Sequence, residues 1–265
     1  MRLQSGEWNT LIPYLTRGLR CPECGAARLI PRGGDVTCDG CGQSYTDTRM
    51  VLDLRAGRNE APPRLYPLGL VRFWEQTVWP WALRQLMGGE PDLLEAFVDR
   101  TLQVVSGPVV CVDPPTVGVL NHLARRVGVA RVLAVGSGGV SLESVLRDPR
   151  DAGCGLLRVA HEQLPFETGS IGGCVAVRGV GRFEDPVESL AEAGRAMASG
   201  STLVSWGLSP QGSALQQWWA RVVGRWLGVT VTPTEEMLAW VRGAGLEPQM
   251  VMRTRHVVIF AARRR

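Results

Sequence analysis

The sequence predicts an α/β protein: a mostly parallel, doubly wound sheet with an antiparallel hairpin at one edge, preceded by a small metal-binding ribbon. Three observations carry this prediction. Apolar runs alternate with amphipathic stretches from residue 91 onward. The chain closes on a helical stretch followed by two extended runs. Near its start, four cysteines stand as two CxxC pairs. A chain of 265 residues holds one domain of ordinary size plus a small module.

Composition narrows the function classes. The 45% apolar content is ordinary for a globular protein, and no apolar run reaches the roughly 18 residues of a membrane span. The start, "MRLQSGEWNT", lacks the apolar core of a signal peptide. The expectation is a cytoplasmic protein without a membrane partner. Net charge is a modest +4, and the chain contains no Lys. A GC-rich genome explains that bias most simply; selection for phosphate or carboxylate forks is the alternative. The charge permits RNA, and the tail "AARRR" could touch RNA or an acidic partner, although a short charged end is usually just solvated.

Seven cysteines divide into two groups. Cys111, Cys154 and Cys174 lie singly in apolar surroundings and read as small buried hydrophobes. Cys21, Cys24, Cys38 and Cys41 form the two pairs, 13 residues apart. In a reducing compartment such a cluster points to metal rather than disulfides. Four thiolates at this spacing favour tetrahedral zinc, with Zn–S distances of about 2.3 Å. Gly25 and Gly42 follow the second Cys of each pair and suit the tight turn a knuckle needs. No open coordination position is visible, so the zinc is expected to be structural. The ribbon module is placed at residues 1–57, a Pro-rich linker at 58–69 and the main domain at 70–265.

The elements of the main domain follow in order. Trp74, Trp79 and Trp81 read as packing anchors, with a base-stacking platform as the alternative. "PDLLEAFVDRTLQVV" has helical spacing of Leu93, Leu94, Phe97 and Leu102. "GPVVCVD" suits a buried parallel strand, and "VGVLNHLARRVG" a helix after it. "ARVLAVGSG", "GLLRVAH", "GGCVAVRGV" and "STLVSWGL" are further strands; "VSLESVLRD" and "PVESLAEAGRAMAS" are helices. "GSALQQWWARVVGRWLG" is a helical insertion whose tryptophans and arginines either pack on the domain or face a partner. Thr234 with Glu235 and Glu236 marks the start of the last helix.

Placed in order, these motifs resemble class I S-adenosylmethionine-dependent methyltransferases over roughly residues 70–265. Leu164, Pro165, Phe166, Ser170, Asp185, Pro186, Leu190, Glu192, Arg195, Leu203 and Val204 match the family's "LPF…S…DP…L.E..R…LV" phrase, and "TPTEEMLAWVRGAGLEP" resembles its closing helix. Cys41, Gly42, Tyr45, Val51, Asp53 and Leu54 resemble the end of ribbons that precede such domains. The resemblance implies a Rossmann-like sheet. A ribbon on this fold is also similar to zinc-bearing rRNA guanine methyltransferases.

The cofactor positions implied by the resemblance depart from the family. "VCVDPPTVG" stands where the glycine turn of the first strand belongs, and only Gly118 survives. Pro114 and Pro115 carry no N–H and have a fixed φ. Gly136 or Ser137 stands for the ribose-binding acid, Ala160 followed by His161 for the adenine-reading Asp, and Gly172 for a further Asp. Reading "RVLAVGSGG" as the first-strand turn instead leaves only about 25 residues before "LPF", too few for the elements between. The degenerate pocket positions are therefore Asp113, Gly118, Gly136 and His161. Asp113 reads as a cap or turn residue, with a ligand amine as the alternative; His161 reads as a loop histidine. Such a chain is expected to be a non-catalytic binding or scaffold subunit beside a protein partner, such as an active methyltransferase or a nucleoprotein complex. S-adenosylmethionine is not expected to bind in the family's manner. The alternatives are an active methyltransferase on RNA or a small metabolite with an atypical pocket, and non-methyl chemistry in the same crevice.

Overall fold

A computed structural model describes residues 18–26, 29–32, 35–48, 51–54, isolated positions between 73 and 86, 93–114, 117–128, 131–136, 154–159, 164–176, 185–227 and 229–265. The linker and the helix expected from "VSLESVLRD" lie outside them.

The ribbon contributes β1 (Leu29–Arg32), β2 (Asp35–Cys38), β3 (Ser44–Thr48) and β4 (Val51–Asp53). After α1 (Leu93–Thr101) come β5 (Val109–Val112), α2 (Val117–Val127), β6 (Val132–Gly136), β7 (Gly155–Arg158) and β8 (Gly173–Ala176). Then follow α3 (Pro186–Ala196), β9 (Thr202–Leu208), α4 (Ala214–Leu227), α5 (Thr234–Gly243), β10 (Leu246–Arg253) and β11 (Val257–Arg264).

The eleven strands among the described residues join one sheet, in the order β1-β2-β3-β4-β7-β6-β5-β8-β9-β11-β10. Strands β4 to β9 run parallel within it, and the β10–β11 hairpin closes one edge antiparallel. The mostly parallel sheet with its edge hairpin is thus as the sequence predicts. Beyond the sequence reading, the ribbon's last strand extends the sheet. Val51, Leu52 and Asp53 pair in parallel with Leu156, Leu157 and Arg158. A second seam binds the ribbon nearby, where Arg20 N–H donates to Pro165 O at 2.9 Å and Glu167 N–H to Gly18 O at 2.7 Å.

Side chains alternate across the sheet, as buried parallel strands require. One face packs Val110, Leu133, Leu157, Phe260 and the inner sides of α3 and α5. Leu29, Val36 and Tyr45 of the ribbon join this same cluster, so the ribbon shares the main core. The other face packs Val109, Cys111, Ala134, Ile259 and Trp206 beneath α1, α2 and α4. Cys111, Cys154 and Cys174 are fully buried, and burial pushes the Cys154 and Cys174 thiols up to about 12. They behave as the small hydrophobes expected.

Local chemistry explains the helix ends. Asp185 caps α3, accepting from Glu188 N–H at 2.9 Å, and Pro186 opens the helix where an N–H is dispensable. Helix α5 starts at Thr234, as the sequence reading has it; Pro233 takes the cap position, and the Thr234 hydroxyl meets Ser209 Oγ at 3.1 Å. Trp81 is half-exposed rather than a buried anchor; Trp74 and Trp79 lie outside the described residues. The terminal arginines are partly occupied by the fold: Arg264 donates to Arg195 O at 2.9 Å, and Arg263 to Gly200 O at 3.2 Å.

Helices α1 and α2 are clasped by charge. Asp99 accepts from Arg126 Nη1 at 2.8 Å and lies 2.9 Å from His122 Nε2, while His122 Nδ1 lies 3.3 Å from Glu95. The Arg126 guanidinium holds the Asp99 carboxyl below its usual range. The clasp is largely exposed, so Asp99→Asn should cost less than about 1 kcal/mol. A depressed folded pKa contributes stability above the unfolded value near ~4 and loses it as pH falls through the folded value. Melts of parent and variant should therefore differ at pH 7 and converge in acid. A gap of equal size at both ends would refute this account.

Candidate metal centre and cofactor crevice

Two turns of the same design build the metal centre. Gly25 N–H donates to Cys21 O at 2.8 Å and Cys21 N–H to Ala26 O at 2.9 Å. In the second turn, Gly42 N–H donates to Cys38 O at 3.0 Å and Cys38 N–H to Gln43 O at 2.8 Å. Gly25 and Gly42 take φ of 72° and 73°, the left-handed region that favours glycine. Each turn thereby aims two sulfurs at one point.

The four Sγ atoms all lie within 4.8 Å of one another. Cys21 and Cys41 approach to 3.7 Å, and Cys24 and Cys38 to 3.5 Å. A tetrahedron with bonds of about 2.3 Å has edges of roughly 3.8 Å, so the donor set fits a tetrathiolate zinc site. Cys21 and Cys38 are buried; Cys24 and Cys41 reach the surface. Against the cost of burial, the amides of Cys41 and Gly40 bring Cys38 down to about 7. The Gln43 amide favours the Cys41 thiolate, but burial and the neighbouring sulfurs push it up to about 12. Four thiolates cannot coexist here without a cation, and a dication would displace their protons. Tyr45, only 1% exposed, sets its hydroxyl 3.0 Å from Cys21 Sγ. Sequence reasoning gave this tyrosine no role. Its family position marks it, but only the β2–β3 register, pairing Tyr45 with Val36, brings it to the sulfur.

The candidate cofactor position lies elsewhere. The chain runs from β5 outward to β6 and β7, then crosses to β8 on the other side of β5. That reversal makes the carboxyl ends of β5 and β8 the topological switch point, where open α/β sheets take ligands. The topology agrees with the alignment taken from the sequence: β5 is the central strand, with β6 beside it.

Asp113 ends β5 with φ of 45°, its N–H donating to Val135 O at 2.8 Å. It precedes α2 by four positions and so forms the turn rather than the helix cap. Pro114 follows, buried. Gly136 is the buried last residue of β6, and Gly118 the exposed second residue of α2. Pro115, Ala160 and His161 lie outside the described residues. Gly172 does not belong to this crevice. Its N–H donates to Pro108 O at 2.7 Å at the opposite end of β5, and a Cβ there would meet Gly107 O at 2.9 Å. Glycine is needed there for packing, not surrendered by a pocket.

Two titratable side chains escaped the sequence reading. Arg158, ending β7, reaches Asp53 of the ribbon's β4 at 3.4 Å. His256, 2% exposed, accepts Ser209 N–H on its carbonyl at 2.9 Å beside the carboxyl end of β9. Burial and the nearby Arg255 hold its imidazole below the usual histidine range. Neither residue belongs to a motif, and both acquire their setting through strand pairing. A cavity of about 450 Å³ opens between the ribbon and α3, bordered by Arg20, Pro22, Leu164, Glu188, Glu192 and Arg195.

Helix α4 gives its tryptophans different settings, with the Trp226 side chain outside the described residues. Trp219 packs against the core, whereas Leu215 (73%), Trp218 (58%) and Val222 (47%) are exposed. Spaced at i, i+3 and i+7, they form one stripe, beside exposed Arg221 and Arg225.

No protein-family model and no curated protein matches the chain. Solved structures do. Geranyl diphosphate C-methyltransferase from Streptomyces coelicolor A3(2), in complex with Mg2+, geranyl diphosphate and S-adenosyl-L-homocysteine, is 14% identical with a TM-score of 0.52, covering 65% of this chain and 80% of that one. A chain from the complex of the Haloferax volcanii Trm112 methyltransferase activator with a methyltransferase is 12% identical with a TM-score of 0.55, covering 73% and 97%. The [4+2]-cyclase SpnF is 12% identical with a TM-score of 0.52, covering 78% and 99%. No helix among the described residues is long and apolar enough to cross a membrane. With its central β5, its switch to β8 and its antiparallel closing hairpin, the chain has the Rossmann-like class I fold of S-adenosylmethionine-dependent methyltransferases.

Proposed function

We propose that this chain is a zinc-bearing protein of methyltransferase fold that has given up ordinary S-adenosylmethionine binding and works as a binding or scaffold subunit. The observation that carries this reading is the Asp113–Pro114 turn at the switch point. Pro114, buried and without an N–H, follows the carboxyl end of β5; by the family resemblance, glycines there would let backbone amides meet the methyl donor. Beside it, Gly136 presents no carboxylate for ribose hydroxyls. The pocket positions Asp113, Gly118, Gly136 and His161 belong to this reading.

Cys21, Cys24, Cys38 and Cys41 would hold the zinc as a structural ion. With a zinc bound, the four sulfurs would take all four positions of a tetrahedron, leaving none for a substrate. The partner would be a protein, such as an active methyltransferase or a nucleoprotein complex. The exposed α4 stripe, with its tryptophan and arginines, supports this, since those residue types dominate binding hot spots. That the Haloferax volcanii neighbour is held in a methyltransferase–activator complex is consistent with such a role.

The second reading is an active methyltransferase on RNA or a small metabolite, and Asp113 favours it. Its left-handed φ preserves a tight turn of the kind glycine ordinarily makes, so the backbone still bends at the loop position. Calorimetric titration of the zinc-loaded chain with S-adenosylmethionine and S-adenosylhomocysteine separates the two. The expected result is no heat of binding up to millimolar ligand. Micromolar affinity for either compound would sink the scaffold reading and favour the second.

A further inference from the structure

Resting on the zinc reading above, we propose that Tyr45 is a positioning residue for the metal centre. Its hydroxyl donates a hydrogen bond to the Cys21 thiolate and thereby sets how tightly the ion is held.

The two knuckles repeat each other's backbone, but their sulfurs are not treated alike. Gly40 N–H lies 3.3 Å from Cys38 Sγ. Cys24 and Cys41 take backbone bonds from Ala26 and Gln43. Cys21 instead meets a phenol oxygen at 3.0 Å, delivered from β3. With metal bound, Cys21 has no proton, so the O–H must be the donor. Tyr45 is 1% exposed, which leaves its hydroxyl no bulk water as an alternative. The bond is therefore worth most when the sulfur carries negative charge.

A tetrathiolate zinc carries a net charge of −2, and each donor to sulfur spreads that charge. Losing one outer donor of this kind typically weakens metal binding 10- to 100-fold. Tyr45 also lies in the core shared with Phe166 and Leu157, so the donor is anchored from the main domain's side of the ribbon.

Tyr45→Phe keeps the ring and removes only the hydroxyl. In the full-length chain it should lose about tenfold in zinc affinity, read by competition with a chromophoric chelator. In the cobalt(II)-loaded protein the sulfur-to-metal charge-transfer band should move to longer wavelength, because Cys21 becomes more electron-rich. Fluorotyrosine placed at position 45 strengthens the donor with little change in volume and should move the band the other way. A purely packing role would lower the thermal midpoint while leaving the competition constant and both spectra unchanged; that result overturns the proposal. If the unsubstituted chain gives no tetrathiolate cobalt spectrum, the metal centre itself falls, and the role of Tyr45 falls with it.

Discussion

Stripping zinc from the loaded protein is expected to unfold the ribbon and to open one edge of the sheet. The ribbon's strands are short, and β4 has only three residues. Their inward side chains, Leu29, Val36 and Tyr45, lean on the main core instead of forming one of their own. Without the ion, four crowded thiols replace four metal bonds, and segments this small seldom hold shape unaided. Loss of a structural metal belongs to the changes that cost more than about 4 kcal/mol. For a chain of this size, that would lower the melting midpoint by about 8–16 °C. The particular consequence lies at β7. Leu157 and Arg158 are covered by Leu52 and Asp53 and by the bond from Leu54 N–H to Arg158 O at 2.9 Å. Hydrogen exchange after chelation should accelerate through β4 and at the bonds linking it to β7, while β9 and β11, at the far side, stay protected. Cys38→Ser should reproduce the pattern. Unchanged exchange at the β4–β7 seam would show that the ribbon's edge pairing is independent of metal.

Outside the metal centre, Arg195→Met is expected to be among the most damaging single substitutions of the exposed or half-buried side chains described. The Arg195 guanidinium forks onto Glu192 at 2.7 and 2.8 Å and also donates to Phe166 O at 2.7 Å. Glu192 holds its pKa above the ordinary arginine value. One side chain thus ties α3 to the "LPF" segment, which in turn carries the ribbon through Arg20 and Pro165. Removing it strands a carbonyl and leaves a lone carboxylate. A fully buried pair would cost 3–5 kcal/mol; with about a quarter of each side chain exposed, roughly 2–3 kcal/mol is expected, or about 4–12 °C. Adding Glu192→Leu should recover part of the loss, because the stranded charge disappears. A strictly additive double variant would refute the coupling.

These two cases show where the family signature resides. Asp185, Pro186 and Glu192 are legible in one dimension because their work is local: a cap, a helix start and an ion pair with Arg195 one turn away, although Arg195 also reaches Phe166 across the fold. They build the scaffold and leave the chemistry of the crevice open. Asp53 and Tyr45 also belong to a recognisable phrase, yet their partners, Arg158 of β7 and Cys21 of the first knuckle, come from distant parts of the chain. Gly172 was misassigned for the same reason. A glycine replacing an acid looks like lost chemistry until the sheet register places it at the amino end of β8, against the backbone of residues 105–107.

The sequence by itself determined the α/β class, the order of the strands along the chain, the buried single cysteines and the four-cysteine cluster. Each depends on spacing along the chain, where periodicity, knuckle turns and chain order suffice. Tertiary structure alone decided that the ribbon extends the sheet through β4, that Tyr45 meets Cys21, and that α4 turns Trp218 outward while Trp219 packs inward. Those are outcomes of pairing and packing between distant segments, and a neighbour in space leaves no mark on spacing in sequence.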